Sequence, residues 1–400
     1  MTALVAVASL LFACTQYRQR EPSSATSETS AALLDATLPP TVSRVAGSPD
    51  KNPGPDTALP SEVLAELVRY WTLVFPDAFG RQFTPLAGGI HPLDSQIADS
   101  NGPETGALCI ITAAQIAGNA YYCPGTDGIV YDTAVLVPVL TTHYGRAGVI
   151  SSFAHEFGHA VAARAKVATG AAINVEAQAD CFAGNFLAWE ASPEGADLAG
   201  SGAAFLSELA PLLDFRDQPD FSPATAGAHG LGIDRAQAVI LGYRGTPVDC
   251  VEIANRGLVV ALGKMKSALK TSPRFGDDAS VVQAARTSAE QSGLFALTSA
   301  QWSTVAPSVA DRKAAADLGQ FGLATATVRA ASALRFPRDA AAAGCAVGRW
   351  VAAIYGSAVP GTLGSWPTDV DEALDLMRLS DSASSAEVIG FVDGFARGCV

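Results

Sequence analysis

The chain has 400 residues and a formal net charge of −13; 49% of its residues are hydrophobic and 16% are charged. This length suits one large or two ordinary domains with a well-buried core. The acidic balance argues against nucleic acid as a partner, because a surface that binds nucleic acid needs clustered positive charge.

The N-terminal segment predicts export. Residues 3–13 form an apolar run that is too short to span a bilayer as a mature helix, and the run ends at Cys14. Residues 1–14 resemble a bacterial lipoprotein signal peptide with Leu11-Phe-Ala-Cys14 as its lipobox. The resemblance implies a lipid anchor on Cys14 and a place in the cell envelope, on the outer face of the membrane. An ordinary secretory signal is the alternative.

Residues 15–60 are rich in Ser, Thr, Ala and Pro and contain few large apolar side chains. Such a segment buries too little apolar surface to fold, so we predict a disordered tether. Further along, Gly128-Ile-Val-Tyr-Asp132 alternates like a short strand and follows the turn signal Pro124-Gly-Thr-Asp127.

The next predicted element is a helix from about Gly148 to Lys166 that carries His155-Glu156-Phe-Gly-His159. Its apolar residues recur at helical spacing. Positions i and i+4 lie on the same face of a helix, so the two imidazoles can converge on one ion with Glu156 beside them. This H-E-x-x-H pattern is typical of catalytic zinc sites. The alternative is a partly buried helix with two unrelated histidines.

A second helix is predicted from about Ile173 to Trp189, after a reversal at Gly170, with Asn174 as a possible cap. Two helices joined by so short a loop pack antiparallel, which returns Glu176 to the neighbourhood of the imidazoles. Glu176 and Asp180 are four residues apart and share one face of this otherwise nearly uncharged helix.

The two acids are expected to have different roles. Glu176 would be the third zinc ligand, because a catalytic zinc takes three protein ligands and keeps one open position. Asp180 would accept the outer N–H of a ligand histidine. A swap, with Asp180 as the ligand, stays open, and so does a solvated helix face without metal.

These residues resemble the bacterial neutral zinc metallopeptidases. That family pairs an H-E-[FYV]-G-H helix with an E-L-Q-A-D-C-[FY]-A-G helix, which here reads Glu176-Ala-Gln-Ala-Asp-Cys-Phe-Ala-Gly184. Two flanking blocks are also similar to the family, Ala120-Tyr-Tyr-Cys to Asp132 and Ala228-His-Gly to Gly245. The similarity covers roughly residues 60–255.

The resemblance implies a zincin-like fold, α+β but mainly helical, with a small antiparallel or mixed sheet. The catalytic domain would span 61–255 and would hydrolyse peptide substrates with Zn²⁺ held by His155, His159 and Glu176. Glu156 would be the general base. A residue outside the helices would stabilise the oxyanion; His229 comes first because it lies in a family-like block, ahead of Tyr131, Tyr144 and Tyr243. Against this, His229 reads equally well as a surface-loop histidine. Residues 128–132 would form the edge strand that pairs with extended substrate.

Six cysteines besides Cys14 agree with export. Chain proximity and shared blocks suggest the pairs Cys109–Cys123, Cys181–Cys250 and Cys345–Cys399 among 15 possible pairings. A competing interpretation makes Cys181 a zinc ligand, although it lies about 100° around the helix from Asp180.

The C-terminal region, residues 256–400, contains no catalytic motif from residue 270 onward. Ala-rich periodic stretches predict a helical subdomain with helices at about 277–292, 309–333, 338–355, 369–379 and 383–397. The stretches Gly242–Cys250 and Gly394–Cys399 are faintly alike, too weakly to indicate a repeat by sequence.

Taken together, the sequence predicts an exported zinc metallopeptidase. The alternative is a non-catalytic envelope lipoprotein, a pseudo-peptidase or protein-binding module with a structural or vestigial zinc site. A hydrolase of non-peptide amides would share the same zinc chemistry.

Overall fold

The computed structural model is mainly helical, with one small mixed sheet among the residues it describes. These are residues 58–96, 109, 113–167, 170–199, 205–218, 222, 227–258, 260–264, 275–356 and 362–399. The predicted signal peptide (1–14), with Cys14, and nearly all of the predicted tether (15–60) lie outside them. The tether prediction extends slightly too far, because a helix already begins at Leu59.

The strands and helices have the following bounds in chain order: α1 Leu59–Phe79, β1 Gly89–Leu93, α2 Ala113–Ile116, β2 Ala120–Cys123, β3 Gly128–Asp132, α3 Leu136–Tyr144, α4 Arg146–Ala165, α5 Ala172–Glu190, α6 Phe205–Asp214, α7 Gly232–Arg244, α8 Pro247–Arg256, α9 Asp278–Ser292, α10 Ser299–Thr304, α11 Val309–Ala315, α12 Gln320–Arg335, α13 Ala340–Ile354, α14 Asp369–Leu379 and α15 Ser385–Ala396. Within the described part of the chain, no helix has both the length and the apolar character needed to cross a bilayer.

The chain forms two compact units. The first takes the described residues up to 202 together with Gly242–Asn255, and the second takes those of Ala203–Leu241 and Arg256–Val400. The division into a catalytic domain (61–255) and a helical subdomain (256–400) stays a prediction.

In the first unit, α4 and α5 form a packed helix pair, and α1, α3 and β2 also contact α4. The apolar stripe predicted for α4 is buried, with Val149, Phe153 and Phe157 fully covered. The helix starts two residues before the predicted start. The predicted cap at Asn174 is wrong, because α5 begins at Ala172 and leaves Asn174 inside its first turn.

The sheet of the first unit has the order β1-β3-β2; β1 pairs with β3 in parallel and β2 pairs with β3 antiparallel. The strand predicted at 128–132 is present with those bounds. Its predicted role as an edge strand is wrong, because β3 is the central strand and is paired on both sides. The edges are β1 and β2.

In the second unit, α9 and α13 pack on α12, and α13 lies closely along α15. The predicted helices near 277–292, 338–355, 369–379 and 383–397 are confirmed within two residues. The helix predicted at 309–333 is wrong as a single element, because it is divided into α11 and α12. Helix α10 was not predicted; Thr298 begins it with a capping box to Gln301.

Three cysteine pairs lie at disulfide distance, and they are the three predicted pairs. The Cα atoms are 5.4 Å apart for Cys109–Cys123, 5.6 Å for Cys181–Cys250 and 5.9 Å for Cys345–Cys399. The pairing of Cys181 with Cys250 engages the sulfur that the competing interpretation gave to zinc.

Candidate metal centre

Three side chains of the first helix pair converge on one point. Nε2 of His155 lies 3.3 Å from Oε2 of Glu176, and Nε2 of His159 lies 3.2 Å from the same oxygen. The two imidazole rings are nearly perpendicular, with centroids 4.9 Å apart. His155 and Glu176 are almost fully buried, and the side chain of His159 is 17% exposed.

Asp180 lies behind His155, on the side away from Glu176. Its Oδ1 is 2.7 Å from Nδ1 of His155, and the Asp180 side chain is fully buried. A carboxylate can only accept a hydrogen bond, so Nδ1 carries the proton and Nε2 presents its lone pair toward Glu176. This arrangement favours Glu176 over Asp180 as the third metal ligand beside the two imidazoles.

Close packing of the two helices brings these groups together. Gly158 of α4 lies against Ala179 of α5, and a Cβ atom on Gly158 would come within 2.5 Å of the Ala179 carbonyl oxygen. Any larger residue would push the helices apart. Because His155 and His159 flank Gly158, and Glu176 and Asp180 flank Ala179, this one contact fixes the distance between the imidazoles and the acids.

The Glu156 carboxylate contacts the sheet of the first unit. Its Oε2 accepts a hydrogen bond of 2.9 Å from the backbone N–H of Tyr122 in β2. Burial raises the pKa of the Glu156 carboxyl above its ordinary value; the imidazoles of His155 and His159 and the Tyr122 N–H act against that rise. This backbone partner was missed by the sequence reasoning, because a main-chain N–H leaves no mark in a residue pattern.

The donor set fits a zinc ion. Ligands about 2.0–2.1 Å from a tetrahedral zinc are separated from one another by about 3.3 Å. The two separations at Glu176 are 3.3 and 3.2 Å. Two imidazole nitrogens and one carboxylate are a ligand set that zinc commonly takes.

The other predicted site residues belong to other elements of the chain. His229 belongs to the second unit, on the segment before α7, and is half-buried. Tyr131 is buried in β3, where its ring contacts Phe153. Tyr144 ends α3, and Tyr243 is near the end of α7. The oxyanion role of His229 stays a prediction.

Searches of protein-family models, of curated proteins and of solved structures found no match to this chain. The resemblance to the neutral zinc metallopeptidases therefore stays a prediction.

Proposed function

We propose that the protein is a zinc-dependent metallopeptidase that hydrolyses peptide bonds, with Glu156 as the general base. The observation that carries the proposal is the convergence of His155, His159 and Glu176, with Glu156 on the same helix as the imidazoles. Asp180 supports the proposal as well, because an acid on Nδ1 of a ligand histidine fixes its tautomer and raises its basicity.

The metal and the protein groups would divide the chemistry. Bound zinc would supply Lewis-acid activation of water and of the scissile carbonyl. Glu156 would take a proton from the attacking water and pass it to the leaving amine. Because its Oε2 already receives the Tyr122 N–H, Oε1 is the oxygen expected to carry the proton.

The sheet suggests where extended substrate would lie. Because β3 is central, the substrate-pairing role that the resemblance gave to it would fall to one of the edge strands, β1 or β2. Pairing with a strand edge reads mostly the backbone of a peptide, and this fits a peptidase with broad substrate choice.

The location belongs to the same proposal. The apolar run that ends at Cys14 and the six further cysteines, paired in the structure, suit an exported protein of the cell envelope. A lipid on Cys14 would hold the enzyme at the outer face of the membrane.

The test compares the unmodified protein with Glu156→Gln. We expect Glu156→Gln to retain zinc, measured by elemental analysis, and to lose about 10²- to 10⁴-fold in casein and peptide cleavage. Glu66→Gln, at an exposed ion pair with Arg69 on α1, is the matched control and should keep full activity. Product analysis separates peptide bonds from other amides. Zinc-loaded protein that cleaves nothing across broad peptide libraries would instead support the non-catalytic envelope lipoprotein.

A further inference from the structure

The bond between Tyr122 and Glu156 gives strand β2 a defined place next to the metal centre. In an antiparallel pair, successive N–H groups point alternately toward and away from the partner strand. Tyr122 directs its N–H to Glu156, so this N–H points away from β3. The N–H of Tyr121, one residue earlier, therefore belongs to the ladder with β3. The two adjacent tyrosines therefore donate their N–H groups to different acceptors: Tyr121 to strand β3 and Tyr122 to Glu156.

Side-chain contacts hold this strand against α4. The Tyr122 hydroxyl donates to Oδ1 of Asp127 at 3.0 Å, and Arg164 of α4 donates to Oδ2 of Asp127 at 2.8 Å. Arg164 also donates to the carbonyls of Thr84 and Pro85. The Arg164 side chain is only 7% exposed. A guanidinium with several acceptors at fixed positions restrains the β2–β3 turn more strongly than a single contact would.

We propose that Tyr122 is a positioning residue for Glu156, and that Asp127 and Arg164 keep its N–H in place. This inference rests on the proposed function. The N–H holds one carboxylate oxygen and so restricts rotation of the carboxylate, which leaves the other oxygen aimed at the position of the attacking water. Tyr122 itself does not touch the reacting atoms.

Hydrogen exchange tests the contact without reference to activity. In the zinc-loaded protein, the Tyr122 amide should be protected although it faces away from the sheet. In Glu156→Ala, protection of Tyr122 should fall while that of Tyr121 stays. An unprotected Tyr122 amide in the unmodified protein overturns the proposal.

Amide-to-ester replacement then tests positioning. Incorporation of the α-hydroxy analogue of tyrosine at position 122 removes the N–H and keeps the phenol. The same analogue at position 121 removes a ladder bond and is the matched control. We expect kcat to fall about 10- to 100-fold at 122, as for loss of a hydrogen bond to a charged group, with KM and zinc content unchanged. The ester at 121 should affect stability more than kcat.

Equal kcat values for the two esters would overturn the positioning role. If the unmodified, zinc-loaded protein cleaves no peptide, the proposed function fails, and hydrogen exchange still decides whether Tyr122 holds Glu156.

A different observation carries a second inference, which concerns the second unit. Cys181-Phe-Ala-Gly-Asn-Phe-Leu-Ala188 in α5 and Cys345-Ala-Val-Gly-Arg-Trp-Val-Ala352 in α13 share Cys, Gly and Ala at the same spacing, with an aromatic residue at the sixth position. Eight aligned residues alone are weak evidence. The packing around them is the stronger evidence.

Each of these helices meets a glycine of a later helix in the same way. A Cβ atom on Gly242 would lie 1.8 Å from the carbonyl oxygen of Cys181, and one on Gly394 would lie 2.2 Å from that of Cys345. In both cases the same cysteine is also paired with a cysteine that follows the glycine, at 250 and 399. The two stretches with faintly similar sequences therefore also pack alike, each with its glycine against the carbonyl of a cysteine in an earlier helix.

The helix that precedes each cysteine also makes an equivalent contact. Gly158 of α4 lies against the carbonyl of Ala179, two residues before Cys181. Ser332 of α12 donates its hydroxyl at 2.7 Å to the carbonyl of Ala343, two residues before Cys345. Alignment of Gly158 with Ser332 places Arg329 at the position of His155.

We infer that α12 and α13 repeat the α4–α5 arrangement. Resting on the proposed function, we also infer that the guanidinium of Arg329 takes the place that the metal would have in the first pair. The corresponding positions are His155 and Arg329, His159 and Ala333, Glu176 and Ala340, and Asp180 and Gly344. Arg329 binds Glu387 through two nitrogens, at 2.8 and 2.6 Å, and also contacts Asp311.

This residue correspondence, the register of the repeat, is tested by building a metal site into α12 and α13. Together, Arg329→His, Ala333→His and Ala340→Glu should add one zinc ion to the zinc content measured for the unmodified chain. The matched control replaces Ala340→Glu by Ala341→Glu, which turns the carboxylate about 100° around the helix and should not bind. An added ion in the control but not in the first variant overturns the register.

An experimental structure of the unmodified full chain covers the case in which the variants fail to fold. Superposition of α4–α5 on α12–α13 should bring Gly158 onto Ser332 and Cys181 onto Cys345 in one fit. A best fit in another register contradicts the inference.

Discussion

The two helix pairs bury polar groups of opposite character. The pair α4–α5 gathers two imidazoles and two carboxylates, whereas α12 contributes one guanidinium that lies between the carboxylates of Asp311 and Glu387. A guanidinium is permanently charged and brings its own donors. An imidazole with its proton fixed on Nδ1 presents a lone pair on Nε2 and acquires positive charge only from a proton or a metal.

This difference separates a structural cluster from a candidate site. The Arg329 cluster supplies both signs of charge from the chain, so its groups satisfy one another. The His155 cluster has the donor atoms and spacing for an exchangeable cation. Judged only by the burial of charged groups, both clusters would be candidate functional sites. The chemistry of their donor atoms distinguishes them.

The largest effect is expected from loss of the proposed third ligand. Glu176→Gln removes the negative charge shared by His155 and His159, so we expect zinc affinity to fall by more than about 100-fold and peptidase activity to be lost with it. Glu387→Gln is the matched change in the second unit and should leave zinc affinity unaltered. Zinc content measured after dialysis gives the comparison. Equal zinc retention by both variants would remove Glu176 from the site.

In the second unit, the largest effect should be on stability. Arg329→Met leaves Asp311 and Glu387 buried without their cation, so the free energy of unfolding of this unit should drop by about 3–5 kcal/mol. Replacing Arg329 and both acids by apolar residues of similar volume should restore most of it. Hydrogen exchange of α12 and α15 against urea measures the change. An unchanged exchange pattern in Arg329→Met would show that the cluster does not stabilise the unit.

Much of the helix pair was readable from the sequence, because H-E-x-x-H and the apolar stripe both depend on the period of a helix. The imidazoles face one side by that period alone, and a short loop returns Glu176 to them. The contact between Gly158 and Ala179 was not readable, since a glycine in a helix leaves its packing partner unspecified. The N–H of Tyr122 was not readable either, because a main-chain N–H leaves no mark in a residue pattern.

The sheet and the second unit show where residue patterns stop being informative. The alternating residue pattern of Gly128–Asp132 predicted the strand correctly. Such a pattern does not show whether a strand is paired on one side or on both. The Ala-rich pattern ran on through Asp317-Leu-Gly319, where the backbone turns between α11 and α12. Arg329 was not singled out, because its partners Asp311 and Glu387 come from distant parts of the chain.

A pH series extends the comparison to Asp234, a buried carboxylate of the second unit whose hydrogen bonds come from backbone N–H groups. Asp234 accepts N–H groups of Leu231 and Ala261 and is buried. Burial raises its pKa from 3.8 to about 7; Asp371 adds to the rise, and the backbone N–H groups and Lys264 oppose it.

Because the folded pKa lies above the unfolded one, this group stabilises the protein below about pH 4, and that stability is lost as the pH rises to about 7. We expect a loss on the order of 3 kcal/mol across this range. Asp234→Asn should flatten the pH dependence when unfolding of the second unit is followed from pH 4 to 8. A variant with the same slope as the unmodified protein would assign the slope to other groups.

The smallest effect concerns the residue behind the first imidazole. The second helix pair has Gly344 at the position of Asp180, where a Cβ atom would lie 1.9 Å from the Glu387 carbonyl oxygen, so an acid cannot be accommodated there. In the first pair the Asp180 carboxylate holds Nδ1 of His155 at 2.7 Å. Asp180→Asn keeps the size of the side chain and removes its charge. Zinc affinity, measured by competition with a chromogenic chelator, should therefore fall only about 10-fold, at the lower end of the range for such outer partners. A fall as large as that of Glu176→Gln would mean that Asp180 binds the metal itself, and no fall would mean that the tautomer of His155 is fixed without it.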